Sequence, residues 1–213
     1  MPFSSRTESG DRELIQIVDS AMAEAARKSG IWLVCRPGCS HCCLGPFAIS
    51  HLDAIRLRKG LTDLECSDPE RAGRVRARVR EEVARISRLF PSDPISGMLA
   101  EDYTDEEPCP ALDRETGTCD LYSSRPITCR TFGPPVRVGS ESVGVCELCF
   151  EGASDDQIAV CEVEVDPDNL ESELLDELGD RGNTLVAFAL EWDKNGGRAG
   201  IRTPDPLGVN EVL

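Results

Sequence analysis

Four cysteines crowd into nine residues near the start of the chain, as Cys35-Arg36-Pro37-Gly38-Cys39-Ser40-His41-Cys42-Cys43. Thiols this close together oxidise in pairs unless something binds them. A zinc or iron ion gathers such thiolates because its positive charge offsets theirs. Cysteines buried only for packing would recur at the period of a helix or a strand, which these do not. The spacing therefore predicts a metal site, with disulfides and core packing as the alternatives.

A second group of cysteines, Cys109, Cys119 and Cys129, follows in the second half of the chain, and Cys146-x-x-Cys149 is a separate pair. One zinc ion or one iron–sulfur cluster takes about four thiolates, so the eleven cysteines of the chain exceed the need of one site. Adjacent Cys42 and Cys43 are expected to point apart, so that one of them would serve a second metal or a multinuclear cluster. We expect both groups to meet at one metal region, because neither supplies enough well-placed ligands alone.

Other residues near these groups have plainer interpretations. Cys66 and Cys161 belong to neither group, so we predict that they serve packing and that metal retention does not need them. His41 is predicted to be a neighbour of the metal and not a ligand, because enough cysteines are available. Arg125 could offset thiolate charge or only shape the turn before Pro126, and the sequence favours neither role.

The two cysteine groups, in this order and with a helix between them, resemble the YkgJ-type cysteine-cluster family of zinc- or iron-chelating domains. The likeness covers residues 34–149. The motifs that carry it are Cys35-x-x-x-Cys39-x-x-Cys42-Cys43, Cys109-Pro110, Cys119-x-x-Tyr122, Arg125-Pro126 and Cys129-Arg130-x-Phe132.

The resemblance implies a metal bound by cysteines of both motifs, and it supplies no established common reaction. The ligands that it implies are Cys35, Cys39, Cys42, Cys43, Cys109, Cys119, Cys129 and Cys146. Cys149 lies outside the family pattern. A related group, the flagellin lysine methylases, uses a similar cysteine set for an iron–sulfur cluster. The expected cofactor is therefore an iron–sulfur cluster or Zn²⁺, with iron slightly preferred.

Two classes of function are compatible with such a site. In the first, the protein is a binding module that holds zinc or an iron–sulfur centre for a structural, redox or metal-handling role. In the second, it is an iron–sulfur enzyme that uses S-adenosylmethionine for radical or methyl-transfer chemistry, since Cys35-x-x-x-Cys39-x-x-Cys42 also has the spacing of radical enzymes of this kind. Those enzymes need a partial or full (β/α) barrel, whereas a short helix is predicted here after the motif. The first hypothesis is favoured, and the sequence leaves open whether the protein is an enzyme.

Charge and hydropathy limit the partners. The formal charge of −16 repels phosphate backbones and disfavours nucleic-acid binding. An arginine-rich segment over 71–88 could grip RNA, but glutamates interrupt it and no aromatic residues are interleaved, so we interpret it as a solvated helix face. The N-terminus lacks an apolar signal region, and no apolar run approaches the roughly 20 residues of a membrane span. We expect a soluble cytoplasmic protein that binds a metal ion or cluster without a membrane partner, and the sequence identifies no protein partner.

The elements that must position the first cysteine group are predicted from local signals. Apolar residues at helical spacing predict a helix over 11–29 that Gly30 ends. The apolar run over 31–34 is either a strand or the buried entry to the cysteine loop. A capping sequence after the loop predicts a helix over 51–59, ended by Gly60.

The later elements follow from similar signals. They are a helix over 68–90, a surface loop over 91–108, a hairpin carrying Cys109 and Cys119, a helical turn presenting Cys129, a hairpin over 136–145, a helix capped by Asp166, and a final helix from Asn183 or Thr184 that includes Trp192. The predicted fold class is mainly helical α+β, a small metal-tied domain with short β-hairpins. We expect a single cysteine-cluster domain over 1–197, with its motif core at 34–149, and an unstructured tail over 198–213.

Overall fold

The computed structural model of the chain describes residues 5–100, 105–179 and 182–191. Within them the protein is a mainly helical α+β structure with two small sheets, which confirms the predicted fold class. None of its helices there is long and apolar enough to cross a membrane. The predicted tail over 198–213 lies outside the described residues.

The chain folds into two compact units. Unit 1 combines Met1–Pro37 with Ile127–Asp180, and unit 2 combines Gly38–Pro126 with Arg181–Leu213. The boundary between the units falls inside each of the two cysteine motifs. The single domain predicted over 1–197 stays a prediction.

The secondary structure consists of helices and very short strands. In chain order they are α1 (Ser5–Ser29), α2 (His51–Ser67), α3 (Pro69–Leu89), α4 (Pro94–Met98), β1 (Leu112–Asp113), β2 (Thr118–Cys119), α5 (Ile127–Thr131), β3 (Val136–Val138), β4 (Glu141–Val143), α6 (Asp155–Cys161), β5 (Val163–Val165), α7 (Leu170–Leu178) and α8 (Val186–Glu191). Unit 2 contains α2, α3, α4, α8 and the β1–β2 hairpin, and unit 1 contains the rest.

The core of unit 2 lies where α2, α3 and α8 pack against one another. The helix α3 contributes the apolar stripe predicted from its spacing: Ala72, Val75, Val79, Val83 and Ile86. The final helix α8 is confirmed, and its residues from Val186 to Leu190 are all buried. Thr184 does not start this helix but pairs with Ile49 through two backbone hydrogen bonds of 2.9 and 3.0 Å. Trp192 lies outside the described residues.

The starts of α2 and α3 are set by capping residues, as predicted. The Ser50 hydroxyl accepts a hydrogen bond from the Asp53 amide at 3.2 Å, and the Asp68 carboxylate accepts one from the Arg71 amide at 3.0 Å. The predicted end of the first of these helices at Gly60 is wrong, because α2 continues to Ser67. Gly60 is needed there for close packing, since an added Cβ would overlap the side chain of Ser124.

The segment predicted as a surface loop over 91–108 contains the short helix α4. Its Pro94 and Met98 are buried, so this part of the segment belongs to the structure of unit 2 and is not a plain loop.

Unit 1 is arranged around α1, which packs against α5, α6, α7 and β5. The predicted second hairpin is confirmed as β3 paired antiparallel with β4. The strand β5 adds to β3 in parallel. The Asp166 carboxylate accepts hydrogen bonds from the amides of Leu170 and Glu171, both at 2.9 Å, and so caps α7 as predicted. The elements α6 and β5 were not predicted, because seven- and three-residue elements are too short to show a hydrophobic period.

The apolar run after α1 is neither a strand nor a buried entry. Gly30 has a positive φ of 50° and ends α1 as predicted, and a turn of 3-10 helix follows over Gly30–Trp32. Ile31 is 88% exposed, whereas Trp32 stacks on Phe150 with ring centroids 6.4 Å apart. Within this run, Ile31 is therefore exposed to solvent, whereas Trp32 packs against Phe150.

Candidate metal centre

Two cysteines of the second group, Cys109 and Cys119, lie at the β1–β2 hairpin of unit 2. Cys119 lies in β2 and pairs with Leu112 of β1. The Leu112 amide donates a hydrogen bond to the Cys109 carbonyl at 2.9 Å, so a tight turn leads from Cys109 into the hairpin. This confirms the predicted hairpin and places both cysteines at the same end of the small sheet.

The first cysteine group reaches the same place through its backbone. A turn of 3-10 helix covers His41–Cys43. The Cys109 amide donates to the Cys43 carbonyl at 2.7 Å, and the Gly45 amide donates to the Glu107 carbonyl at 3.1 Å. The backbones of the two motifs therefore lie side by side at Cys43 and Cys109 within unit 2, and the convergence of their thiols on one metal region stays a prediction.

Two glycines permit this close approach. Gly45 has a φ of 78°, and a Cβ at this position would lie 2.7 Å from the Asp105 carbonyl oxygen. Gly117, at the tip of the hairpin, also has a positive φ, and its Cβ would lie 3.1 Å from the carbonyl oxygen of Gly38. Gly38 directly precedes Cys39, so the first loop lies against the hairpin that carries Cys119.

Cys42 and Cys43 do not point apart. Their thiols form a side-chain hydrogen bond, which lowers the pKa of Cys42 to about 6 and raises the pKa of Cys43. Burial raises the pKa of Cys43 further. The expectation of divergence is wrong because a short turn of 3-10 helix, in place of an ordinary helix or strand, carries both residues.

The two hairpin thiols lie in a low-dielectric setting. Burial raises the pKa of Cys109 to about 12 and also raises the pKa of Cys119. The charge of Arg125 works in the opposite direction on Cys119 and helps to lower the pKa of Cys42. The Arg125 guanidinium lies 3.8 Å from the centre of the Tyr122 ring and donates to the Tyr122 carbonyl at 3.2 Å. Arg125 thus does more than shape a turn, because its charge reaches two thiols.

Unit 1 holds a different set of thiols. Cys146, Cys149 and Cys161 are buried together with Phe150, and Trp32 packs against them. The Cys149 amide donates to the Cys146 carbonyl at 2.8 Å, which closes a tight turn. The Cys161 thiol donates to the Lys28 carbonyl at 3.3 Å, so the prediction that Cys161 serves packing is confirmed.

The remaining cysteines are more accessible. Cys35 is exposed, and Cys129 is half-buried on α5 of unit 1. Arg130, next to Cys129, is buried and donates to the carboxylate of Asp19 on α1 at 2.7 Å, which gives it a structural role. Cys66 is exposed at the end of α2, so the prediction that it serves packing is wrong.

Comparison with family models supplies the next observation. Residues 34–149 match the model of the CxxCxxCC family, described as "putative zinc- or iron-chelating domain". The chain belongs to this family. Searches of curated proteins and of solved structures found no match. Membership in the family makes this a metal-chelating protein whose metal is zinc or iron.

The donor chemistry of the site fits such a metal. Thiolates are preferred ligands of both zinc and iron, and no disulfide occupies the cysteines of the described residues. No three Cys, His, Asp or Glu side chains among those residues are arranged to hold a metal ion. The thiols of unit 2 therefore do not form a complete ligand set in this structure, and metal binding requires their side chains to rearrange.

The sequence analysis did not predict the ion pairs between Asp120, the residue after Cys119, and two arginines of α3. The side chain of Asp120 is fully buried and pairs with Arg71 and Arg78 of α3. The interpretation of the arginine-rich segment as a solvated face is therefore wrong for Arg78, of which only 19% is exposed. A signal was present, since positions 71 and 78 lie two turns apart on one helix face and an aspartate directly follows Cys119.

Proposed function

We propose that the protein binds zinc or an iron–sulfur centre through cysteine thiolates and uses it for a structural, redox or metal-handling role. One observation carries the proposal: four thiols from both cysteine motifs lie near one another in unit 2, where the Cys109 amide donates to the Cys43 carbonyl at 2.7 Å. These are Cys42, Cys43, Cys109 and Cys119. A cluster of thiols from two separate motifs suits a metal better than it suits packing.

The charge and the small size of the hairpin support the proposal. Four thiolates carry more negative charge than one zinc ion offsets, and Arg125 supplies a further positive charge to Cys42 and Cys119. The β1–β2 hairpin has only two residue pairs, which is too few for stability on its own. A metal bound by Cys109 and Cys119 would add the missing stability.

The other predicted ligands are proposed from the family motif. Cys39 belongs to unit 2, and Cys35, Cys129 and Cys146 belong to unit 1. We slightly prefer an iron–sulfur centre over zinc, because of the resemblance to the flagellin lysine methylases. A reducing cytoplasmic location suits a chain with eleven cysteines.

The alternative, an enzyme that uses S-adenosylmethionine, gains no support from the fold. Its chemistry needs parallel strands alternating with helices around a barrel. The described residues contain sheets of two and three short strands, and only the β3–β5 pair is parallel.

Anaerobic purification followed by elemental analysis and a visible absorption spectrum tests the proposal. A zinc site gives a colourless protein with zinc bound, and an iron–sulfur centre gives iron, acid-labile sulfide and broad visible absorption. Full-length protein that retains neither metal, and takes up neither when it is supplied under reducing conditions, would contradict the proposal.

A further inference from the structure

A buried carboxylate lies directly behind the hairpin thiols of unit 2. Asp120 follows Cys119 in the chain, and its side chain is fully enclosed. One carboxylate oxygen accepts a hydrogen bond from Arg71 Nε, and the other accepts one from Arg78 Nη2 at 2.5 Å. Both arginines belong to α3, so the carboxylate anchors the residue after Cys119 to this helix.

One of these arginines, Arg78, also holds the other arm of the hairpin. Arg78 Nε donates to the carbonyl of Pro110 at 2.9 Å, and Pro110 directly follows Cys109. The Asp120 amide donates to the Ala111 carbonyl at 2.8 Å. The residues that follow both cysteines are therefore fixed to one pair of guanidinium groups.

This arrangement is not needed to hold α3 in place. Its apolar stripe already packs α3 into the core of unit 2. The hairpin is less firmly packed, because only Leu112 of its four strand residues is buried, although Ala111 and Leu121 on either side of the strands belong to the core of unit 2.

We propose that Asp120, held between Arg71 and Arg78, is a positioning residue that sets the places of Cys109 and Cys119 for metal binding. The inference rests on the proposed function. Charge-assisted hydrogen bonds to a buried carboxylate are directional, so they fix the backbone that carries each thiol before the metal arrives. Partners of this kind behind the ligands of metal sites typically change metal affinity by about 10- to 100-fold when they are lost.

The test uses the full chain with the substitution Asp120→Asn, which keeps the shape of the side chain and removes its charge. The matched control is Glu65→Gln, which weakens a second ion pair of α3, between Glu65 and Arg76 at 2.7 Å, on a residue outside the cysteine motifs. Zinc alone is the probe, and its dissociation constant is measured by competition with a chromophoric chelator. We expect an increase of about 10- to 100-fold for Asp120→Asn and no change for Glu65→Gln.

A second measurement separates positioning from a general loss of structure. In metal-free protein, the rate of maleimide labelling is followed for each cysteine by peptide mass mapping. Asp120→Asn is expected to accelerate labelling of Cys109 and Cys119 and to leave the buried Cys161 of unit 1 unchanged. Arg71→Gln leaves the contact between Arg78 and Asp120 in place, so it is expected to accelerate labelling of Cys109 and Cys119 by a smaller factor. This variant replaces Asp120→Asn in the test if Asp120→Asn does not fold.

The outcomes are distinct. Wild-type affinity together with unchanged labelling of Cys109 and Cys119 overturns the positioning role and leaves the proposed function standing. Equal acceleration at Cys161 also overturns it, since the carboxylate would then be needed for folding in general. Wild-type protein that binds neither zinc nor iron overturns the proposed function, and the labelling rates still decide whether Asp120 positions the hairpin.

Discussion

The cysteine side chains of unit 1 and those of unit 2 have different surroundings. In unit 2, Cys42, Cys43 and Cys119 lie near one another, and the charge of Arg125 reaches Cys42 and Cys119. In unit 1, Cys146, Cys149 and Cys161 lie in an apolar cluster around Phe150. A thiolate needs positive charge or a metal to be stable, whereas a thiol packs well among apolar groups. The contrast shows that burial alone does not identify a ligand and that the charged neighbours of a thiol are more informative.

The largest expected effect distinguishes a ligand from a packing cysteine. Cys42→Ser should abolish retention of zinc or iron through gel filtration, because it removes a thiolate from the cluster of unit 2. Cys161→Ser should retain metal as the wild type does, since its thiol only donates to the Lys28 carbonyl. Elemental analysis of both proteins measures the difference. Equal loss from both variants would mean that Cys161 is also needed for metal binding.

Removal of the metal should loosen the cysteine segments and spare the long helices. Chelation under reducing conditions is expected to raise amide exchange over 35–43 and 109–149, whose elements are short, and to leave α1 and α3 largely protected by their own apolar stripes. Hydrogen exchange with mass spectrometry measures this. If protection around the cysteines is unchanged after verified metal loss, the site is preformed and the metal has no structural role.

Replacement by alanine of two glycines, Gly60 in α2 and Gly73 in α3, should change the stability of the protein in opposite directions. Gly60→Ala is expected to destabilise the protein by about 1–3 kcal/mol, because the new methyl group overlaps Ser124, next to Arg125. Gly73→Ala, on α3, is expected to stabilise it by about 0.5–1 kcal/mol, since no atom lies within 4 Å of the added Cβ. Urea denaturation of both variants provides the comparison. A stabilising Gly60→Ala would show that Ser124 does not pack against α2.

A further expected effect, confined to alkaline solution, is a dependence of stability on pH. The pKa of Cys109 is raised from 9.0 to about 12, so its contribution to the stability of metal-free protein is present below pH 9 and is lost as the pH rises towards 12. Cys42, whose folded pKa is lowered to about 6, contributes little well above pH 9, because its thiol is then ionised in both states, whereas the raised pKa values of Cys43 and Cys119 add to the loss. The midpoint of urea denaturation should therefore fall above pH 9. In Cys109→Ser, the denaturation midpoint should fall less steeply with pH than in the wild type. If the two slopes are equal, Cys109 is not the cause of the fall.

Much of the fold could be predicted because its signals are local. Asp68 and Ser50 cap the helices that follow them, and the spacing of the apolar residues of α3 matches its buried face. The hairpins were predicted for the same reason, since a turn needs only a few residues. The strand β5 was missed because it is three residues long and forms only by pairing with β3.

The sequence by itself determined the cysteine motifs, their family and the class of metal, because ligand type and spacing are properties of the chain. Only the tertiary structure decided which cysteines have which neighbours. It brought the Cys42 and Cys43 thiols together, left Cys66 exposed, and buried Asp120 between two arginines. These outcomes depend on backbone turns and on contacts between residues far apart in the chain, whose energies do not appear in any local pattern.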